Sequence, residues 1–129
     1  MTKTLVITSA SVKQNKGRLP ANELFRGRLF KTVKDLCEKS GLSIEDFELI
    51  EVNEAFAAQY IACERELGLN RDITNVNGSG IGLGHPVGST GARLIVTLIY
   101  AMKRRGKSLG LATLCGGGGV SMACAIEMV

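Results

Sequence analysis

Tryptophan is absent, proline occurs twice and histidine once, so the chain has few fixed backbone breaks and little large aromatic surface. Its unbroken apolar runs are only a few residues long, far short of the roughly 20 needed to span a bilayer. The opening MTKTLVITSA is equally short of a secretory signal. A soluble, untargeted, cytoplasmic protein without membrane contact is expected. Cys37, Cys63, Cys115 and Cys124 show neither CxxC nor Cys/His ligand spacing, which argues against a zinc site and against a disulfide framework. No metal and no resident cofactor are expected. Cys37, Cys63 and Cys124 read as small apolar core residues, the common fate of a free cysteine.

A length of 129 residues with 45% hydrophobic content and a mean hydropathy of +0.15 provides material for one core. A single domain spanning residues 1–129 is expected, with no linker or repeat to divide it. The net charge is +4, which raises the possibility of a nucleic-acid partner. The densest basic run, Lys103, Arg104, Arg105 and Lys107, falls at the end of an expected helix, where cations complement the dipole. No aromatic residues interleave with it, so a small anionic substrate is favoured over nucleic acid.

Thr4 to Ala10 reads as a strand and Ser11 to Arg18 as a loop,. Leu29, Val33, Leu36 and Cys37 recur at helical spacing up to Ser40-Gly41,. Ser43 to Asp46 resembles a capping box on a short turn,. Phe47 to Val52 reads as a strand, with Asn53 as the cap of a helix from Glu54 to Leu67,. A glycine-rich stretch follows, with Ile73 to Val76 as its only plausible strand. Leu94, Ile95, Leu98, Ile99 and Met102 mark an amphipathic helix from Thr90 to Arg105,. Leu109 to Leu114 and Val120 to Val129 read as strands joined by a turn at Gly116 to Gly119,. This β-α-β-α-β-α-β-β order predicts an α/β fold with helices packed on a mostly parallel sheet, closed by an antiparallel hairpin.

In such a sheet, ligands gather at the C-terminal ends of parallel strands. Asn53 and Cys115 are both expected there. The sole histidine, His85, lies in Asn77-Gly78-Ser79-Gly80-Ile81-Gly82-Leu83-Gly84-His85-Pro86, where Pro86 restricts it to extended backbone and the glycines permit close approach. Imidazole and thiol groups exchange protons near neutral pH. An amide can orient a water, and N–H groups of the glycine loop can stabilise an oxyanion. Taken singly, each residue has a plainer reading: a loop hydrogen bond, a helix cap, a hairpin. The glycine stretch lacks GK[ST] and GxGxxG spacing, so it is neither a phosphate loop nor a dinucleotide fingerprint.

Three segments together resemble the thiolase family: Val52-Asn53-Glu54-Ala55-Phe56-Ala57, Asn75 to Arg93 around Gly84-His85-Pro86, and Cys115-Gly116-Gly117-Gly118-Gly119. They match the family's NEAF, GHP and CxGGG motifs in order and in approximate spacing, from about Gly27 to the C-terminus. The resemblance implies one half of the thiolase fold, in which two such halves pack around the active site. It also implies roles. Cys115 would be the general acid/base that takes the α-proton of an acyl-CoA. His85 would activate a nucleophilic cysteine and contribute to an oxyanion hole, and Asn53 would hold a water in that hole. Gly117 would offer a backbone N–H to a second oxyanion site. The implied reaction is Claisen condensation of two acyl-CoA units, or thiolysis of a 3-ketoacyl-CoA, with coenzyme A thioesters as substrates.

The family's nucleophile sits in a Cys-Gly-Ser-like context, and no cysteine here has one. The long loop region that builds much of the family's CoA site is also missing. Gly27-Arg28-Leu29-Phe30 stands where Gly-Pro is usual, and Ser121 replaces a frequent glycine. Two functions follow. In one, a separate N-terminal thiolase half supplies the nucleophile, and one face of this domain should be unusually apolar. In the other, the chain is a catalytically inactive thiolase-like domain, alone or as a homo-oligomer, that binds acyl-CoA or a protein partner.

Overall fold

The computed structural model describes residues 5–13, 28–117 and 120–129. Four strands form one sheet in the order β1-β4-β3-β2: β1 (Leu5–Lys13), β2 (Leu49–Val52), β3 (Leu109–Gly117) and β4 (Val120–Met128). The helices are α1 (Arg28–Ser40), α2 (Ala57–Leu67), the single turn α3 (Gly80–Leu83) and α4 (Thr90–Arg105). The α/β class and the mixed sheet with helices packed on it are as expected. The sheet is less parallel than the sequence suggested, since only β2 and β3 run parallel. Both β1 and β3 pair antiparallel with β4. The first strand also continues to Lys13, through residues read as a loop.

The side chains divide by face, as strand alternation requires. Ile50, Val52, Leu111, Ala123 and Ala125 pack against Leu29, Val33 and Leu36 of α1 and against Cys63 and Leu67 of α2. On the other face, Leu49, Ala112, Cys124 and Ile126 pack against Leu94, Leu98, Ala101 and Met102 of α4. Helix α4 follows its predicted bounds because its apolar spacing is regular and a left-handed Gly106 ends it,. Its seat on β3 requires Gly110, where a Cβ would lie 2.6 Å from Met102 Sδ and 3.0 Å from a Leu98 methyl. The expected capping box is present, with the Ser43 N–H donating to Asp46 Oδ2 at 2.6 Å.

The strand expected at Ile73 to Val76 is reduced to a single parallel bridge between Ile50 and Thr74. Asn75 ends it by entering the left-handed region at φ 51°. There its side chain replaces a strand backbone: Oδ1 accepts from the Val52 N–H at 2.8 Å and Nδ2 donates to the Val52 carbonyl at 3.0 Å. The far end of β2 is thereby held just before the candidate site.

Candidate active site

Asn53 follows β2 directly and extends its ladder, its N–H donating to the Thr113 carbonyl at 3.0 Å. It does not cap the next helix. That helix begins at Ala57 after an extended Phe56, so the three residues from Glu54 to Phe56 separate Asn53 from it. The Asn53 side chain is instead 1% exposed, and neither its Oδ1 nor its Nδ2 has a hydrogen-bond partner among the described residues. Buried amides without partners are rare because desolvation costs about 1–3 kcal/mol per group. Gly80 packs directly upon it. A Cβ there would lie 3.0 Å from Asn53 Oδ1 and 2.8 Å from the Glu54 carbonyl oxygen.

The glycine stretch is tied to this corner by polar contacts. The Ser79 hydroxyl donates to the Val52 carbonyl at 2.8 Å, and Glu54 Oε2 accepts from the Ile81 N–H at 3.1 Å. From there the chain runs through exposed His85 and Pro86 into α4. The Pro86 carbonyl accepts from Ser89 and Thr90 N–H groups at 2.7 and 3.0 Å. His85 Nδ1 lies 2.7 Å from the hydroxyl of Thr90, itself fully buried. This contact orients the ring and directs Nε2 away from Thr90,.

Cys115 lies near the end of β3, opposite Ser121 of β4. Ser121 does not disturb the site, since its buried hydroxyl pairs with that of Thr32 on α1 at 2.5 Å. The Cys115 thiol donates to Gln59 Oε1 in the first turn of α2 at 3.3 Å. The β3–β4 register shifts between Cys115 and Gly117, and Gly117 adopts φ 77°.

His85, Cys115 and Gly117 line one cleft of about 280 Å³, walled also by Phe56, Val87 and Leu114. Asn53 is not part of that lining. A larger groove of about 480 Å³, between the ends of α1 and α2, is lined by Val33, Cys37, Leu42 and Leu67. The charged side chains among its described lining are Lys34, Glu38 and Glu66. It lacks the converging set found in the smaller cleft. The other cysteines stay inert in their surroundings. Burial raises the thiol of Cys63 to about 11, burial and nearby Asp46 and Glu45 raise that of Cys37, and burial raises that of Cys124. A protonated thiol is a weak nucleophile.

Several participants were not legible in the sequence. Gln59, Asn75 and Ser79 each act through a contact across the fold, and Thr90 through one with His85 five residues before it. Glu54 stood within the NEAF motif, but its link to the glycine stretch gave no local signal. No group of three metal-ligating side chains occurs among the described residues, and no described helix is long and apolar enough to cross a membrane.

The family profile described as "Thiolase, C-terminal domain" matches residues 9–128. The chain is 56% identical over 90 residues to the acetyl-CoA acetyltransferase of Rhizobium meliloti (strain 1021), covering 70% of this chain and 23% of that protein. It is 50% identical over 111 residues to the acetyl-CoA acetyltransferase of Escherichia coli (strain K12), covering 86% and 28%. The crystal structure of the Bacillus anthracis acetyl-CoA acetyltransferase superposes with a TM-score of 0.87 at 46% identity, over 97% of this chain and 30% of that one. The chain thus spans about a quarter of the length of its curated relatives. With the fold, the motif-bearing corner and the profile in agreement, the chain belongs to the thiolase family, whose C-terminal domain it carries.

Proposed function

We propose that this domain supplies the acid/base and oxyanion half of an acetyl-CoA acetyltransferase type active site, acting on acyl-CoA thioesters. Cys115 removes the α-proton of one acyl-CoA, and His85 Nε2 steadies the negative charge that develops on the thioester oxygen. Asn53 holds a water against the same oxygen through its amide, which has no hydrogen-bond partner among the described residues, and the Gly117 N–H serves a second oxyanion. The nucleophilic cysteine comes from an N-terminal thiolase half. The reaction is Claisen condensation or, in reverse, thiolysis of a 3-ketoacyl-CoA, in the cytoplasm.

The cleft that His85, Cys115 and Gly117 share is the observation that carries this reading. Exposed apolar side chains support a partner: Phe56 and Val87 line the cleft, Ile81 and Leu83 lie on α3, and Val96 and Tyr100 lie along α4. Exposed apolar groups clustered in this way mark surfaces that meet another molecule. The exposure also suits a second reading, a catalytically inactive domain that binds acyl-CoA or associates as a homo-oligomer.

Acetoacetyl-CoA thiolysis separates the two. The 129-residue chain alone is expected to show no turnover. Addition of an N-terminal thiolase half restores it, and Cys115→Ser or His85→Ala then lowers the rate by about 10²–10⁴-fold, the range for loss of a general acid/base or oxyanion donor. Turnover by the chain alone would refute the partner requirement. Failure of every such half, with acyl-CoA binding intact, would establish the inactive domain.

A further inference from the structure

The motifs that carry the site do not include Gln59, yet it makes the one side-chain hydrogen bond recorded for the Cys115 thiol among the described residues. Gln59 stands in the first turn of α2 and is half-buried. Cys115 packs at the edge of the same core layer as Cys63 and Tyr60 of that helix. The ionisable groups on the elements around the thiol are few. His85 lies across the cleft, the buried Cys63 thiol on α2 interacts with it electrostatically, and neighbouring Tyr60 is itself pushed toward its neutral form by burial. None supplies a fixed positive charge.

A primary amide has both a carbonyl acceptor and an N–H₂ donor on one rotatable bond. We propose that Gln59 is a positioning residue for Cys115, one that follows the proton on the sulfur. When Sγ carries the proton, the S–H donates to Gln59 Oε1 at 3.3 Å, as in this structure. When the proton has left, the amide turns about its terminal bond and Nε2–H donates to the thiolate. The inference rests on the assignment of Cys115 as the general acid/base. As Cys115 accepts the α-proton, the substrate C–H bond breaks, its electron pair stays with the substrate as the enolate, and the new S–H regains Oε1 as acceptor. In the return step these moves reverse. The sulfur is thus held in one place in both of its states, which a fixed acceptor or an apolar side chain cannot do.

The two-sided role makes a prediction that packing alone does not. Gln59→Glu keeps the shape and the acceptor but removes the donor and adds a negative charge. Gln59→Leu removes donor and acceptor together. The readout is the rate of alkylation of Cys115 by iodoacetamide at fixed pH, resolved by peptide mass mapping in the full chain, with half-buried Cys37 as the internal reference. We expect Gln59→Glu to slow Cys115 by about ten-fold or more and Gln59→Leu by about two- to five-fold, since like charge and a lost donor both disfavour thiolate. Cys37 keeps its rate. Unchanged Cys115 rates in both variants overturn the proposal. So does equal slowing by Glu and Leu, which signals shape alone, or slowing of Cys37 in parallel, which signals a disturbed fold. The readout needs no turnover, so this failure is distinguishable from a failure of the thiolase reading, which the Cys115→Ser activity assay decides.

Discussion

Glu51 sits in surroundings at odds with its chemistry. It is 1% exposed, neither carboxylate oxygen has a hydrogen-bond partner among the described residues, and burial raises its pKa from 4.5 to about 7 despite the pull of Arg93. Nearby Glu54 pushes the same way. The folded state therefore holds this proton more tightly than the unfolded chain. The resulting stability is fully present below about 4.5 and is lost as pH rises toward 7,. Glu51→Gln, neutral at every pH, is expected to match the native chain at pH 4 and to exceed its unfolding free energy at pH 8 by about 1–3 kcal/mol in urea titrations. The hydroxyl of Thr90 makes the opposite kind of contribution. Thr90→Val preserves shape but frees His85 Nδ1 to face water, so stability changes by less than about 1 kcal/mol. With the proposed N-terminal half added, turnover is expected to fall about ten-fold through loss of ring orientation, seen in kcat rather than in KM. The motifs that carry Asn53, His85 and Cys115 were legible in the sequence, and the fold brings His85 and Cys115 to one cleft. The partners that orient the last two were not legible, because Thr90 and Gln59 look like ordinary helix residues until the chain brings them to His85 and Cys115.

Among the elements, α4 was the most legible because one apolar stripe meets one sheet face and a glycine ends it. Its close seat has a cost that can be measured. Gly110→Ala places a methyl against Met102 and Leu98 and should destabilise the chain by about 1–3 kcal/mol, the usual range for overpacking, read from the denaturant midpoint. The helix after β2 was mislocated at its start because asparagine favours helix caps. Here the demand of the β2–β3 ladder wins, and Asn53 remains in extended backbone with Thr113. The strand expected at Ile73 to Val76 was over-read for a related reason. Its β-branched and apolar residues satisfy strand propensity, but a left-handed Asn75 stops the pairing after one bridge.

For the whole molecule, alternation of helices and strands correctly indicated a layered α/β domain, while the direction of pairing at the far edge was not readable. The β1 strand reaches across the chain to pair with β4, and nothing local to MTKTLVITSA signals a partner more than a hundred residues away. The opposite edge, β2, is covered only briefly, by the Ile73–Asn75 backbone that bonds Ile50 at 2.9 and 2.8 Å, and an open edge is a template on which another strand can add. Asn75 occupies that template with a side chain, answering both the N–H and the carbonyl of Val52 with an amide that offers nothing further for a neighbouring chain to pair with. The residue that steadies the approach to Asn53 therefore also closes the end of this edge, and it is expected to help keep copies of this protein apart. Asn75→Gly, which tolerates φ 51° but lacks the amide, is expected to remain folded while forming thioflavin-positive aggregates faster than the native chain on prolonged warming; equal aggregation rates would show that the edge is guarded by something else.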